Sequence, residues 1–326
     1  MTPKTLAVTI GELVTAFLFS IQTEGKSPRT HQYYEWRLHH FQEYARQQSW
    51  PERVAEIDAN KIREYLSWVG SRSYDYSPAK RATRTVKASP KTAWPYFKAL
   101  RRLFNWAMDQ GFALDNPTRF IRFKTPPAAL IEAYSEEELR SLIAVCDGEM
   151  QRGERLNGLR NKAILLLFVD SGLRLKELVD LRLGDLNMGQ QIVRVVGKGG
   201  RPDCCPFSPT TAKAISLYLI ERKTMTQTDA LWVRHDGKPL SSNGLATWFT
   251  KAKRLAGINS PGLIHRLRHT AALQYLRGAH NSFLLQLFLR HLDLAMSRRY
   301  TQGLKHEEAI LAHRNGASPV ERMKLL

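Results

Sequence analysis

The sequence predicts a mainly α-helical protein in two domains, with a small β-sheet in the second. Three observations carry this reading. Helical patterns with recognisable caps occupy roughly the first 110 residues. A basic, proline-bearing stretch from Asn116-Pro117 to Pro126-Pro127 then breaks the periodicity. Beyond it lies one β-branched run, Ile192-Val193-Arg194-Val195-Val196, that reads as a strand. At 326 residues and 43% hydrophobic content, the chain is long enough for two domains with cores of their own.

Taken in order, Thr9-Ile10-Gly11-Glu12 fits a capping box ahead of Leu13, Phe17 and Leu18. Ser27-Pro28 offers an N-cap with proline at the first helical position, and the helix it opens carries Tyr33, Trp36, Leu38, Phe41 and Tyr44. A shorter helix is expected from about Asp58 to Val69. Between Ser71 and Ser89 the chain turns polar and basic, with Arg72, Lys80, Arg81, Arg84 and Lys87. That segment reads as a loop, either solvated or in contact with phosphate. The next helix runs from near Lys91 to Gln110 with Gly111 as its C-cap. Pro95 argues that its regular part begins nearer Trp94, and Lys98, Arg101 and Arg102 are candidates to face a polyanion.

The proline-bearing stretch divides the chain into a helical domain at 1–118, a linker at 119–132 and a second domain at 133–326. Ser135-Glu136-Glu137-Glu138 opens the second domain with another capping box. Arg160 to Asp170 reads as a buried helix. Gln191 to Phe207 reads as a hairpin about a glycine-rich turn, with Pro202 and Pro206 marking its second strand as an edge. Leu231-Trp232-Val233 is a candidate for one more strand, and helices dominate afterwards.

Charge narrows the function. The chain carries 49 Lys+Arg against 30 Asp+Glu, a formal net charge of +19, which a polyanionic partner explains better than a solvated surface does. The longest apolar run, Ala163 to Val169, is far too short for a membrane span. Glu12 interrupts the apolar stretch near the N-terminus, so no signal peptide is read there. Cys146, Cys204 and Cys205 make neither a disulfide framework nor a metal spacing, which fits a reducing cytoplasm.

Chemistry concentrates in the last half of the chain. Ser171-Gly172-Leu173-Arg174 precedes Glu177, and Gly197-Lys198-Gly199 follows at the hairpin turn. Later come His265-Arg266-Leu267-Arg268-His269, then Leu289-Arg290-His291, and finally Arg298-Arg299-Tyr300. Singly, each has an ordinary reading. An arginine at Arg174 caps a helix or pairs with an acid, and a lone tyrosine is usually a partly buried aromatic. His265 and His269 have helical metal spacing, but Arg266 stands where a zinc protease needs glutamate. The Gly197-Lys198-Gly199 turn lacks the upstream glycine and following hydroxyl of a phosphate-binding loop. Together, Arg174, Lys198, His265, Arg268, His291 and Tyr300 suggest a site for a phosphodiester with a tyrosine nucleophile.

This order and spacing resemble the tyrosine recombinase, or phage integrase, family over most of the chain. Arg174 with Glu177 and Asp185 looks like the family's first arginine box. Lys198 sits where the family keeps its hairpin lysine, His265 with Arg268 looks like the second box, and His291 with Tyr300 nine positions later looks like the last. The resemblance implies a two-domain DNA clamp, a helical core-binding domain plus a tyrosine-recombinase catalytic domain, acting on double-stranded DNA. It implies that Arg174 and Arg268 bind the phosphate as charged forks, that Tyr300 attacks, and that His265 takes its proton. A 3′-phosphotyrosyl intermediate would form, with Lys198 as general acid to the 5′-hydroxyl, His291 on the phosphate and Glu177 orienting the cluster.

Because such a covalent bond retains the phosphodiester energy, neither ATP nor a metal nor another cofactor is expected. Strand exchange implies a homotetramer on two DNA sites, with room for an accessory DNA-bending or directionality protein. The tail after Tyr300 is expected to dock on a neighbouring protomer or on its own domain. The chain begins directly with core-binding helices, which points to simple or Xer-like recombinases of mobile elements or chromosomes. Two rivals share parts of this pattern: a type IB topoisomerase-like relaxing enzyme, and a non-catalytic accessory DNA-binding protein. One departure stands out. Arg290 occupies a position where the family usually has glycine, which matters if the chain turns a tight corner there.

Overall fold

The computed structural model describes residues 8–76, 84–88, 90–123, 133–197, 202–224, 226–260, 262–279 and 281–290. The chain divides into two units, residues 1–128 and 129–326. In the first, side-chain caps set where the helices start. Thr9 and Glu12 form the expected capping box at α1 (Ile10–Thr23). The Ser27 hydroxyl accepts the Thr30 N–H at the start of α2 (Pro28–Gln47), and Asp58 does the same for Lys61 at α3 (Ala59–Ser71). The apolar faces of these helices and of α4 (Pro90–Asp109) close on Phe17, Phe41, Tyr65, Leu103 and Phe104, all fully buried.

Two expectations for this unit are corrected. Helix α4 begins at Pro90, not near Trp94, and Pro95 lies inside it. Pro90 has the preset φ of a first helical residue. Pro95 removes only one N–H close to the helix start, and its carbonyl accepts the Tyr33 hydroxyl at 3.0 Å. The described parts of the basic segment after α3 also form strands rather than a loop. Strand β1 (Ser73–Tyr76) pairs antiparallel with β2 (Arg84–Lys87), Ser73 opposite Lys87 and Tyr76 opposite Arg84. The strands are only four residues long, too short for alternation to stand out from a charge-rich background.

The second unit is built around α6 (Arg155–Ser171), which packs on α5 (Glu136–Gln151), α8 (Pro209–Lys223) and α10 (His265–Ala279). Its burial is nearly all-round, from Leu156 to Ser171, which is why it shows no polar stripe. Polar residues within this core are paired. Asn161 donates to Glu149 at 2.7 Å and accepts two bonds from Arg160, while Trp248 donates to the other Glu149 oxygen at 2.8 Å. The other α-helices among the described residues of this unit are α7 (Leu175–Val179), α9 (Ser242–Leu255) and α11 (Ser282–Leu289).

A three-stranded antiparallel sheet flanks this core, ordered β3 (Leu186–Asn187), β4 (Ile192–Val196), β5 (Pro202–Pro206). Strand β5 is the edge that its prolines require, and Val193 opposite Cys205 turns both side chains into the core. Leu231-Trp232-Val233 is not a strand. Val233 and the preceding Ala230 make only isolated bridges, to Pro239 and Arg182. Trp232 is fully buried and spends its indole N–H on the Leu178 carbonyl at 2.8 Å, which pins the end of α7. No helix of the described residues is long and apolar enough to cross a membrane.

The α5–α6 crossing depends on Gly158. A Cβ there would lie 2.5 Å from the Cys146 carbonyl oxygen and 2.5 Å from Met150 Cγ. Gly158→Ala is therefore expected to destabilise the protein by about 1–3 kcal/mol through overpacking, although alanine gains about 1 kcal/mol in helix propensity. Urea unfolding of the two proteins checks this. An unchanged or raised midpoint would show that the helices part freely.

Candidate active site

The site forms where three helix ends meet: the end of α6, the start of α7 and the end of α11. Helix α6 stops at Gly172, whose φ of 58° is left-handed. A Cβ at this position would also approach Phe288 Cε1 to 2.9 Å and Leu289 Cδ2 to 3.2 Å. Glycine thus serves twice, turning the chain and admitting α11. The turn delivers Arg174 as the N-cap of α7.

Glu177, at the third position of α7, folds back on that cap. Its carboxylate accepts the Arg174 backbone N–H at 2.9 Å and the Arg174 guanidinium at 2.6 Å. This is the capping-box position, which satisfies an otherwise orphaned helix N–H. Burial pushes the Glu177 carboxyl up. The Arg174 N–H and guanidinium, with the Arg290 charge, outweigh burial and hold it below the usual carboxylate range.

Arg268 enters from α10. Its side chain is buried, and its guanidinium donates to the Gly172 carbonyl and, at 2.7 Å, to the Leu289 carbonyl. Arg174 donates at 3.4 Å to the next carbonyl, that of Arg290. The two predicted phosphate-binding arginines, far apart in sequence, therefore reach consecutive carbonyls of one turn. His265 begins α10 and is exposed. At a spacing of three residues it lies on the same helix face as Arg268, one turn away. Lys198, His291 and Tyr300 lie outside the described residues. The β4–β5 connection holds Lys198, and the residue after the described part of the α11 corner is His291.

The register of α10 is set from its opposite face. Arg266 stacks on Tyr134 with 4.2 Å to the ring centroid, pairs with Glu138 at 3.6 Å and donates to the Ala133 carbonyl at 2.8 Å. Tyr134 in turn donates its backbone N–H to Thr270 at 2.9 Å.

Arg290 is the feature that sequence reasoning placed only in part. The expected tight corner is present: Arg290 is the C-cap of α11 with φ 53° and ψ 47°. A non-glycine residue there carries a conformational cost of about 1–2 kcal/mol. Its side chain is not solvated. It forms an ion pair with Glu177 at 2.7 Å, with side-chain exposures of 6% and 11%, and donates to the Cys205 sulfur. Burial pushes the Cys205 thiol up to about 12, so the neutral sulfur acts as an acceptor. The signal for this role in the sequence is a side chain at the corner position. Its partner could not be read, because Glu177 is 113 residues away.

Among the described residues, the guanidiniums of Arg174 and Arg290 thus share the Glu177 carboxylate and that of Arg268 lies at the same turn, an arrangement suited to a phosphodiester. Because the folded-state carboxyl of Glu177 is depressed, its stabilising contribution is full above the unfolded value near 4.5 and fades as pH falls through the lower folded value. The stability difference between wild type and Glu177→Gln is accordingly expected to be constant near neutrality and to shrink below about pH 4.5. Denaturation midpoints of both proteins from pH 7 to pH 3 measure it, and a gap that widens on acidification would contradict the assignment.

The sequence profile of the phage integrase family matches residues 133–307, and that of the phage integrase SAM-like domain matches residues 14–124. The chain is 25% identical over 304 residues to tyrosine recombinase XerD of Listeria innocua, spanning 91% of this chain and 95% of that protein. It is 30% identical over 244 residues to tyrosine recombinase XerC of Staphylococcus haemolyticus, spanning 73% and 75%. The fold is similar to that of XerH site-specific recombinase bound to its palindromic difH substrate in a post-cleavage complex, with TM-score 0.70, 21% identity and coverage of 94% and 85%. It is similar also to the Tn1549 transposon integrase in complex with transposon right-end DNA, with TM-score 0.71, 16% identity and coverage of 95% and 100%. With the catalytic-unit profile spanning more than half of its length and the arginine corner in place, the chain belongs to the phage integrase family.

Proposed function

We propose that this protein is a site-specific DNA recombinase that cuts and rejoins duplex DNA through a 3′-phosphotyrosyl intermediate, with Tyr300 as nucleophile. One observation carries the reading: Arg174 and Arg268 are brought to consecutive carbonyls of the α11 corner. Arg268 is held there before the substrate arrives, and the more exposed Arg174 is within reach of the same turn, so both can stabilise the charge that gathers on the non-bridging oxygens. Removing one such donor from a comparable site costs on the order of 10²–10³ in rate.

The rest of the chemistry follows from proton needs. A tyrosine hydroxyl with an ordinary pKa of about 10 must lose its proton as it attacks, and His265 on the exposed start of α10 is the acceptor. The P–O5′ bond breaks as the P–O bond to Tyr300 forms, and Lys198 protonates the leaving 5′-oxygen. His291 donates to the phosphate. A second 5′-hydroxyl then attacks the phosphotyrosine, which restores the diester and frees Tyr300. Strand exchange of this kind needs four protomers on two DNA sites. The three free thiols, Cys146, Cys204 and Cys205, suit a cytoplasmic setting, and the substrate is the DNA of a mobile element or a chromosome. A DNA-bending or directionality protein would act by choosing which pair of sites is brought together.

Two outcomes test these roles. On a nicked suicide duplex in EDTA without ATP, wild-type protein is expected to give a slow-migrating band on a denaturing gel, and Tyr300→Phe to bind the duplex yet give none. An adduct in that variant would move the nucleophile elsewhere, while binding without an adduct in wild type would favour an accessory DNA-binding protein. Lys198→Ala is expected to lose cleavage of ordinary DNA and to regain it on a 5′-bridging phosphorothiolate, whose sulfur leaves without a proton. Failure of that rescue would remove Lys198 as general acid.

A further inference from the structure

Three non-glycine residues among the described residues have a positive φ: Ser49, Gln191 and Arg290. At Arg290 the left-handed backbone coincides with a buried, ion-paired side chain. Glycine would take this conformation freely, so the side chain is present against the backbone preference. What it touches indicates why.

Glu177 divides its carboxylate between two guanidiniums. Oε1 takes Arg174 at 2.6 Å, and Oε2 takes Arg290 at 2.7 Å. The two cations differ in setting. The Arg174 side chain is 37% exposed, whereas that of Arg290 is 6% exposed. Arg174 can therefore swing to an incoming ligand, and Arg290 cannot leave. A buried carboxylate that loses its only cation is strongly penalised. With Arg174 as sole partner, Glu177 would hold that guanidinium back from the substrate.

We propose that Arg290 is a positioning residue that keeps the Glu177 charge paired, so that Arg174 is released to the scissile phosphate without stranding a buried carboxylate. This deepens the recombinase reading and rests on Arg174 as a phosphate donor. Arg290 itself stays beneath the site, between Glu177 and the Cys205 sulfur. The corner residue thus acts on the reaction through Glu177 rather than by touching DNA.

The test compares the full-length wild type with Arg290→Gly, Arg290→Lys, Glu177→Gln and the Arg290→Gly/Glu177→Gln double variant. Each is measured for thermal midpoint, for DNA affinity by fluorescence anisotropy, and for the single-turnover rate of adduct formation on the suicide duplex. Arg290→Gly suits the corner backbone and is expected to stay folded with unchanged affinity, while its adduct rate falls on the order of 10-fold, within the range for residues coupled in one network. Arg290→Lys is expected to recover most of that rate although it keeps the unfavourable backbone. In the Glu177→Gln background, where no charge needs a partner, Arg290→Gly is expected to add little further loss, because residues in one network are not additive. Wild-type rate in Arg290→Gly, no recovery in Arg290→Lys, or a full additional loss in the double variant would each overturn the proposal. A wild-type protein that binds the duplex without any adduct would instead remove the phosphotyrosyl reading beneath it.

Discussion

The buried guanidinium of Arg268 is the interaction on which the rest of the catalytic unit depends. It spans from the Gly172 carbonyl at the end of α6 to the Leu289 carbonyl at the end of α11. Both carbonyls belong to helix ends, where the last turns lack intrahelical donors. A charged side chain serves them together and is itself desolvated among them. Gly172 is the counterpart of this arrangement. Its left-handed φ stops α6 at the required point, and its missing Cβ lets Phe288 and Leu289 close on the turn. Arg174 then follows only two residues beyond Gly172, so the same corner brings the two arginines together.

Charge balance explains why the corner holds more than the two expected cations. A site built to receive a phosphodiester is positive by purpose, and in the free protein that charge needs an internal counterweight. Glu177 supplies it, and the capping geometry of α7 keeps it close to the Arg174 backbone. The same carboxylate binds Arg290 beneath it. Two guanidiniums share this one acid, and that of Arg268 serves carbonyls of the same turn. The surplus is what a polyanion would neutralise, and it is the local counterpart of the excess of basic residues in the chain as a whole.

Local features of this fold were legible in the sequence. The capping boxes at Thr9 and Ser135 depend only on residues three apart. The β4–β5 hairpin with its proline-marked edge, and the helix that carries His265 and Arg268, are equally local signals. What was not legible is instructive. Pro95 argued for a later start to α4, yet one lost N–H near a helix start is outweighed by packing of Phe97, Leu100 and Leu103. The β1–β2 pairing and the two-residue β3 are too short to show alternation. At the site, Arg174 and Arg268 were recognisable by their surroundings in sequence. The link between Glu177 and Arg290 was not, because it exists only once α11 has packed on the α6 turn.

The two faces of α10 show how position and chemistry are shared along one helix. Arg266 and Arg268 are two residues apart, so their side chains leave the helix on nearly opposite sides, about 200° apart. Arg268 serves the corner. Arg266 is held by Tyr134, Glu138 and the Ala133 carbonyl, all from the segment where the second unit begins. Thr270, one turn further, takes the Tyr134 backbone N–H. Rotation of α10 about its axis would break contacts on both faces together. His265 and Arg268 are thus presented by a helix fixed from both sides.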